Sequence, residues 1–535
     1  MKLYYNGNYK IIDSSEKEKI YENVYDIDYK ENITEIEIEP GTTVIKEAAF
    51  LNCDDLKKIT IPDSVVKIEP HAFHGCIALN NIELPNSITE IGSHVFEDCI
   101  SLISIKLSNN IKKIDDYTFK NCMGLYKIEI PNSVTEIGRG AFIYTSLKSI
   151  EIPDSVTKIG HNAFEHCTSL KKIKLSNNIT KIDYSTFEHC ISLKEITIPN
   201  GVTEIGACVF ENCRKLNNVI LPDTLTKIDS LAFSFCKLLE EINLPKNLKE
   251  IENQAFIGCT NLKEITLPKN IKKIEDYTFS RCTSLNKIKI PDNVTEIGHY
   301  AFDCCGSLKE ITIPKSVTEI KENTFFNCKS LLEINIPENI TTIDKFAFAN
   351  CKLLNTIKLP NNIKTINHDA FLNCHSLTNV IFDEYSDVKI DYKAFTCCEL
   401  LDEKTKEKLI YQIAKNIDKN DIDDFFIMYD IKYDSEFIQE LMTINISFFD
   451  IAYQLDKEVF IDAALDSIKK INRTKNSFTI ETDLCNIEKK KDKHYLYLPD
   501  DYSKKYNIKD NTFKQKINNI IKNYKVKGEI DEIIL

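Results

Sequence analysis

Cysteine is the residue type with the most evident chemical potential here, because 19 of the 535 residues are cysteines. Most of them recur about every 23 residues, three positions after a phenylalanine: Cys53, Cys76, Cys99, Cys122, Cys167, Cys190, Cys213, Cys236, Cys259, Cys282, Cys305, Cys328, Cys351, Cys374 and Cys398. Such a column could form disulfides or a row of metal thiolates. Zinc sites need clustered spacing such as Cys-x-x-Cys, which the sequence lacks. One cysteine per period is instead typical of a small, reduced side chain facing a core.

Histidine is the second candidate metal ligand. Two neighbouring periods read Glu165-His166-Cys167 and Glu188-His189-Cys190, with His161 nearby. Stacked imidazoles could in principle hold a transition metal. The sequence fixes no further ligand beside them, and both histidines fall in a predicted surface turn. We therefore assign no metal-binding and no cofactor-binding residues from the sequence.

Catalytic motifs are also lacking. The sequence contains no G-x-x-x-x-G-K-S/T, G-x-G-x-x-G, G-x-S-x-G or H-E-x-x-H pattern. Its carboxylates are spread along the chain, so no acid–base pair can be nominated. A net charge of −13 argues against nucleic acid as a partner, because phosphate binding requires clustered Lys and Arg. We expect a protein that is not an enzyme and uses no cofactor.

The cysteines and histidines belong to an internal repeat. It is marked by one phenylalanine in each period: Phe50, Phe73, Phe96, Phe119, Phe142, Phe164, Phe187, Phe210, Phe233, Phe256, Phe279, Phe302, Phe325, Phe348, Phe371 and Phe395. An isoleucine precedes each phenylalanine by five residues, and a leucine follows most of them by six. The unit reads F-x-x-C-x-x-L-x-x-I-x-I-P-x-S/N-V/I-x-x-I-x-x-x-A/T.

The repeat predicts a stack of short strands. Alternation in L-x-x-I-x-I predicts a half-buried strand that the proline ends, and the β-branched V/I-x-x-I predicts a second extended stretch. One such coil buries too little apolar surface to be stable alone, so its faces must be covered by neighbouring coils. We therefore predict a parallel β solenoid of about sixteen 23-residue coils over residues 33–401.

Two polar columns are expected to fix how the coils stack. The residue before the repeat isoleucine mostly alternates in charge: Lys67, Glu90, Lys113, Glu136, Lys158, Lys181, Glu204, Lys227, Glu250, Lys273 and Glu296. Opposite charges on adjacent strands predict ion pairs between coils. A threonine-rich column lies beside them, at Thr135, Thr157, Thr180, Thr203 and Thr226. We interpret both columns as stacking ladders rather than as a track for a ligand.

The segment L-x-x-I-x-I-x-x-N/S resembles the leucine-rich-repeat signature. The 23-residue length, the Ile-Pro that ends the strand and the Ala-Phe-x-x-Cys turn are similar to the BspA-type leucine-rich-repeat family. This resemblance covers about residues 33–401 and implies a leucine-rich-repeat solenoid. It also implies adhesion or protein binding, mostly on cell surfaces. The chain start has no apolar stretch of signal-peptide length and no run of 18 apolar residues occurs, so we expect a cytoplasmic protein without membrane insertion, with surface display or secretion as the alternative.

Partner contacts are harder to place from the sequence. Binding hot spots favour Trp, Tyr and Arg, and the chain has no Trp. An aromatic cluster two positions before the repeat phenylalanine, Tyr277, Tyr300 and Phe346, is a candidate contact with a protein partner. The alternative is that these are partly buried turn residues.

The two ends depart from the repeat. Residues 1–32 break the period and predict an N-terminal cap, because an open solenoid end would expose its core. Residues 402–475 have helical spacing, as in Leu409, Ile413 and Ala414, and predict a mainly α-helical domain. Residues 476–535 form a mixed segment with a strand-like Phe478–Ile480 and a last helix near 512–522. A non-catalytic scaffold or binding protein is the leading hypothesis, with an adhesin, or an enzyme or effector active in the C-terminal region, as alternatives.

Overall fold

A computed structural model describes residues 2–5, 8–11, 33–383, 387–418 and 421–429, and the backbone of six C-terminal strands. The chain divides into two compact units. The first comprises Met1–Ile363, Ala370–Val380 and Cys397–Glu399, and the second comprises Lys364–Asp369, Ile381–Thr396 and Leu400–Leu535.

The first unit is a parallel β solenoid in which each period of the repeat forms one coil. The leucine-rich segment supplies one row of strands, called the three-residue row: Lys58–Thr60, Asn81–Glu83, Ser104–Lys106, Ser149–Glu151, Lys172–Lys174, Glu195–Thr197, Asn218–Ile220, Glu264–Thr266, Lys287–Lys289, Glu310–Thr312, Glu333–Asn335, Thr356–Lys358 and Asn379–Ile381. The middle residue of each strand is buried and its last residue is exposed, as the alternation predicts.

The V/I-x-x-I segment forms the second row, called the two-residue row: Val44–Ile45, Lys67–Ile68, Glu90–Ile91, Lys113–Ile114, Glu136–Ile137, Lys158–Ile159, Lys181–Ile182, Glu204–Ile205, Lys227–Ile228, Glu250–Ile251, Lys273–Ile274, Glu296–Ile297, Glu319–Ile320 and Thr342–Ile343. Pairing is parallel and in register, so that each residue faces its equivalent in the next coil, as Ile182 faces Ile205. The predicted solenoid is therefore confirmed, with one row of strands on each side of a shared core.

The repeat phenylalanines form the centre of that core. From Phe50 to Phe371 their rings stack one on the next with centroids 5.2–5.7 Å apart. Twelve of them, Phe73 through Phe325, are among the largest fully buried side chains. Offset stacking adds aromatic attraction to the apolar area each ring buries. Since the centroid spacing is close to the separation of neighbouring strands, the ring stack and the strand ladders share one repeat distance.

The polar columns stabilise the stacking as predicted. Lys67 lies 3.0 Å from Glu90 in the next coil, and Glu136 pairs with Lys158 at 3.0 Å. In the threonine column, the Thr226 hydroxyl donates to the carbonyl oxygen of Thr203 at 3.1 Å. The predicted ladders are thus confirmed as contacts between coils.

The turn around each phenylalanine has an unusual backbone. Residues two positions before and two positions after it have positive φ in almost every coil, as in Tyr277 (φ 57°) and Arg281 (φ 60°). This left-handed conformation costs a non-glycine residue about 1–2 kcal/mol, and Asn and Gly bear it best. Backbone bonds between coils offset the cost, since Tyr277 N donates to His299 O at 2.9 Å.

One coil is a residue shorter than the rest. It contains Phe142, and Thr145 occupies the position that cysteine holds elsewhere. The Thr145 hydroxyl lies 2.9 Å from Phe142 O and 3.2 Å from the sulfur of Cys167. The hydroxyl therefore bonds within its own coil and contacts the thiol of the next one, whereas the cysteine at this position elsewhere donates to the preceding coil, as Cys122 does to Phe96 O at 3.0 Å.

The start of the chain adds antiparallel strands to this unit. Lys2–Tyr5 pairs with Asn8–Ile11 and with Ile33–Glu37, and Ile33–Glu37 pairs in parallel with Lys58–Thr60. The added strands thus lie on the edge that the first coil would otherwise leave unpaired.

The second unit contains the last two-residue strands, Thr365–Ile366 and Lys389–Ile390, which are paired in parallel. Helix α1 (Glu403–Ala414) follows, capped by the Asp402 carboxylate, which accepts from Thr405 N at 2.8 Å. Helix α2 (Ile422–Met428) comes next. Gln412 of α1 donates to Val388 O at 2.7 Å, which ties this helix to the last coil. Within the described residues, neither helix has the length and apolar character needed to span a membrane.

The described strands at the C-terminal end of the second unit form a six-stranded antiparallel sheet. Its strands are Ile468–Thr474, Ser477–Thr482, Asn486–Lys490, Lys493–Leu498, Asp501–Ile508 and Ile530–Ile534. The helical spacing predicted after residue 402 holds for α1 and α2, but the expected helical range extends to residue 475 and Ile468–Thr474 is a strand. Two residues separate this strand from Ser477–Thr482, a spacing that suits an antiparallel hairpin. The predicted helical segments between residues 437 and 467, and the helix near 512–522, lie outside the described residues.

Candidate functional site

Five large apolar side chains are exposed in neighbouring coils near the start of the solenoid. Ile77, Ile100, Ile103, Met123 and Tyr126 are between 39% and 55% exposed. We call them the apolar patch. Single exposed apolar residues are ordinary on protein surfaces, whereas a contiguous group of them marks interaction sites.

The repeat brings these side chains together. Ile77, Ile100 and Met123 share the position four residues after the phenylalanine, and Ile103 and Tyr126 share the position seven after it. Gly124 N donates to Ile100 O at 2.8 Å, so the coils that carry Ile100 and Met123 are in direct contact. A Cβ at Gly124 would lie only 3.0 Å from Ile100 O, so the two coils approach closely at this point.

A column of lysines continues from the patch. Lys148, Lys171 and Lys194 occupy the position of Tyr126 in the next three coils, and all three are exposed. Backbone bonds link them in series, from Lys148 N to Tyr126 O at 3.1 Å and from Lys171 N to Lys148 O at 3.0 Å. The Lys148 ammonium lies 5.4 Å from the centre of the Tyr126 ring. Across the described part of the chain, none of the three forms an ion pair, so this lysine column is a local positive stripe on an acidic protein.

An open groove of about 770 Å³ lies next to the lysine column, lined by residues between Lys127 and Lys174. Residues Lys127–Glu129 are not in a strand, which interrupts the three-residue row at this point. The charged groups in the groove are largely paired with each other, as Lys127 is with Glu129 at 3.1 Å. Its described lining consists of charged, polar and aliphatic side chains, without histidine or cysteine.

The aromatic contact predicted from the sequence is only partly assembled. Tyr277 and Tyr300 stack face to face with centroids 4.5 Å apart, and both are half-buried. Phe346 is also half-buried but lies two coils beyond Tyr300, and the buried Asn323 holds the intervening position. The structure therefore brings together two of the three residues.

A second group of side chains lies on the phenylalanine side of the same early coils. His71, His74, His94, Glu97 and Asp98 form what we call the histidine–carboxylate cluster. The ligand atoms of His71, His94 and Glu97 lie within 4.8 Å of one another, as do those of His74, Glu97 and Asp98. The His71 and His94 rings stack at 4.6 Å, and His74 Nδ1 lies 3.4 Å from Glu97 Oε2.

The next coil anchors both carboxylates of the cluster. Lys120 donates to Glu97 Oε1 at 2.7 Å, and Asn121 donates to Asp98 Oδ1 at 2.6 Å. The second oxygen of each carboxylate faces a histidine: Glu97 Oε2 accepts from His94 Nδ1, and Asp98 Oδ2 lies 3.7 Å from Nε2 of His74.

Electrostatics keep this buried carboxylate charged. Burial alone would raise the pKa of Glu97, but hydrogen bonds from Lys120 and His94 outweigh it and lower that pKa. The pKa of His71 is also lowered, first by burial and then by the neighbouring His94 and His74. The cluster is thus set up with an ionised carboxylate beside a histidine that favours the neutral form, which is the state of a metal-binding imidazole.

We did not predict this cluster from the sequence, although the signal is present. His71-Ala72-Phe73-His74 is followed 23 residues later by His94-Val95-Phe96-Glu97. Two residues three positions apart, repeated in the next coil, define a square of four neighbouring side chains. Counting histidines and acids by coil position rather than along the chain would have found it.

The candidate metal ligands considered from the sequence, His161, His166 and His189, are arranged differently. The His166 and His189 rings stack at 4.4 Å, and each lies near the glutamate that precedes it in sequence. His161 meets the edge of Tyr184 at 6.4 Å. Among the described residues, these histidines do not converge with a third ligand.

Comparison with known proteins identifies the same type of repeat. The family model described as a BspA type leucine-rich repeat region matches overlapping stretches at residues 18–148, 135–263, 203–332, 249–356, 318–433 and 346–485. A leucine-rich repeat protein from Bacteroides ovatus is 25% identical, with a TM-score of 0.50, over 73% of this chain and 93% of that chain. A leucine rich cell surface protein from Faecalibacterium prausnitzii is 26% identical, with a TM-score of 0.38, over 72% and 95% of the two chains. No curated protein matches the sequence.

Proposed function

The chain belongs to the BspA-type leucine-rich repeat family, and from this premise we propose that it is a non-catalytic scaffold that binds another protein through the apolar patch. The observation that carries the proposal is the clustering of Ile77, Ile100, Ile103, Met123 and Tyr126, each at least 39% exposed, in consecutive coils. Rigid repeat arrays present extended surfaces without needing to reorganise on binding.

The lysine column indicates the chemistry of the partner. Lys148, Lys171 and Lys194 extend from Tyr126 and have no ion pair within the described residues, so binding would bring them carboxylates at little cost in broken pairs. We propose a partner segment that places apolar side chains on the patch and acidic side chains along the lysines. Its association should weaken as ionic strength rises, because exposed charges are screened by salt.

We also propose a second contact and a location for the protein. The stacked Tyr277 and Tyr300, with Phe346 two coils away, are a candidate second contact with the same partner. A cytoplasmic location, rather than the cell surface, stays a prediction that cell fractionation tests.

Site-specific photocrosslinking tests the proposal in cells that express the full chain. A photoreactive phenylalanine analogue is placed at position 100 or 123, and at position 238 or 353 as controls, since Leu238 and Leu353 are exposed apolar residues in other coils. We expect one protein to be crosslinked from the patch and not from the controls, with positions 277 and 300 reporting on the second contact. Equal crosslinking from position 238 would overturn the assignment of the patch.

Once the crosslinked partner has been purified, matched variants measure how much the apolar patch and the lysine column each contribute to its binding. Ile100→Asp with Met123→Asp should weaken binding at least about 30-fold, the loss expected for a hot spot worth roughly 2 kcal/mol. Lys148→Glu with Lys171→Glu should weaken it more than Lys237→Glu with Lys329→Glu, which changes the net charge equally at exposed lysines elsewhere. A partner indifferent to both substitutions at the patch and lysine column would defeat the proposal.

A further inference from the structure

The histidine–carboxylate cluster has the composition of a transition-metal site. Imidazole nitrogen with carboxylate oxygen suits Zn²⁺ and its neighbours in the first transition row, whereas Ca²⁺ and Mg²⁺ prefer oxygen alone. Two histidines and one carboxylate are a ligand set that zinc proteins use, with the remaining position open to water. The five residues come from two adjacent coils, so the solenoid itself holds them together.

Three observations distinguish this cluster from an ordinary surface group. Glu97 is a carboxylate whose side chain is only 8% exposed, and buried charges need firm compensation. Lys120 donates to one carboxylate oxygen of Glu97, and Asn121 donates to one carboxylate oxygen of Asp98. The second oxygen of each carboxylate faces a histidine. His74 Nδ1 is buried and lies 3.4 Å from Glu97 Oε2, but forms no hydrogen bond among the described residues.

We propose that His71, His94 and Glu97 bind one Zn²⁺ ion, with His74 and Asp98 completing its surroundings. Zinc lies about 2.0–2.2 Å from nitrogen and oxygen ligands, so ligand atoms now within 4.8 Å must close by roughly 1 Å. The stacked rings of His71 and His94, 14° from parallel, must turn so that both lone pairs point to one ion. Both side chains are partly exposed and lie outside the stack of buried phenylalanines.

Supporting groups in the neighbouring coil fit this assignment. Lys120 donates to the Glu97 carboxylate at 2.7 Å, and Asn121 donates to the Asp98 carboxylate at 2.6 Å. Such outer contacts orient metal ligands and strengthen binding. The ion would join two successive coils and should therefore stabilise the folded chain, since a ligand that binds only the folded state raises its thermal midpoint.

The substitution that tests the site is chosen to suit the positive φ of the ligand positions. His71 and His94 have φ of 58° and 59°, and asparagine occupies the same coil position, also with positive φ, at Asn162 and Asn323. His71→Asn with His94→Asn therefore removes two ligands and keeps a residue that accepts the left-handed conformation. The matched control is His166→Asn with His189→Asn, another stacked histidine pair at positive φ that has no converging third ligand among the described residues.

Zinc titration of the tag-free full chain, by calorimetry and equilibrium dialysis, provides the first readout. We expect one Zn²⁺ per chain with micromolar or tighter affinity, and a rise in the thermal midpoint. The His71→Asn/His94→Asn variant should bind at least tenfold more weakly and lose the thermal shift, while the control keeps both. No zinc bound at micromolar concentration, or equal loss in the two double variants, would overturn the site.

Cobalt provides a second readout that identifies the ligands. Co²⁺ held by nitrogen and oxygen should show d–d absorption without the charge-transfer band of a thiolate. The d–d absorption should disappear in Glu97→Gln. A thiolate band, or a spectrum unchanged by Glu97→Gln, would assign the metal to cysteine instead and contradict the proposal. Circular dichroism of the metal-free variants checks that the coils are intact.

Discussion

The thiol of Cys190 donates a hydrogen bond of 3.2 Å to the carbonyl oxygen of Phe164 in the preceding coil. The same contact recurs along the solenoid, for example from Cys259 to Phe233 at 3.1 Å. Cysteine fits this position because it is small, tolerates complete burial and still donates a weak hydrogen bond. The column therefore links successive coils and has no need of oxidation or metal.

Chemical labelling checks this role. Burial raises the pKa of Cys190 well above its ordinary value and that of Cys259 to about 12, so neither thiol should form a thiolate in the native protein. Iodoacetamide should modify the exposed Cys397 and leave Cys190 and Cys259 unmodified until denaturant is added, as peptide mass mapping would show. Rapid native labelling of the column would contradict the structure.

Phe233 and Phe235 offer a matched pair, two positions apart in one coil. Phe233 is fully buried in the ring stack, whereas Phe235 is half-buried and has φ of 54°. Phe233→Ala should destabilise the chain by about 3–5 kcal/mol, as for other large core truncations. Phe235→Asn should cost less than about 1 kcal/mol, because asparagine is favoured at positive φ. Urea midpoints of the two variants against the parent measure the difference, and similar losses would mean that the core is not where the structure places it.

Much of the solenoid could be predicted from the sequence because the same residue types meet the same packing requirements in every coil. The buried Phe column, the isoleucine that precedes it and the pairing of Lys67 with Glu90 all follow from a 23-residue step. The positive φ at Tyr277 could not be inferred, because the residue type varies so much at that position. Neighbouring coils impose the turn there, against the local preference of most residues.

The two candidate sites were less accessible to sequence reasoning, for a related reason. Ile100 and Met123 occupy a position that elsewhere carries polar residues such as Thr168 and Lys329, so the apolar patch is an exception within a column. The histidine–carboxylate cluster depends on two positions in two coils at once. A repeat shows what its members share, whereas these sites arise where a few coils depart from the consensus.

Glu296 joins three coils through two lysines. Its carboxylate lies 2.8 Å from Lys273 in the preceding coil and also pairs with Lys321 in the following one. Hydrogen bonds from Lys273 and Lys321 lower the pKa of Glu296 from 4.5 to about 2. Because the pKa of Glu296 is lower in the folded chain than in the unfolded chain, its pairing with the two lysines stabilises the folded chain above pH 4.5. This stabilisation is lost as the pH falls towards 2.

Glu296→Gln should therefore lower the thermal midpoint at pH 6 and narrow its gap from the parent as the pH falls to 3. The effect should be modest, because the side chain of Glu296 is 36% exposed and solvent screens such pairs. Glu264→Gln is the matched control, since Glu264 is an exposed strand residue without an ion pair among the described residues, and its gap from the parent should be small at every pH. A gap for Glu296→Gln that stays constant from pH 6 to 3 would show that packing, and not the two lysines, accounts for the loss.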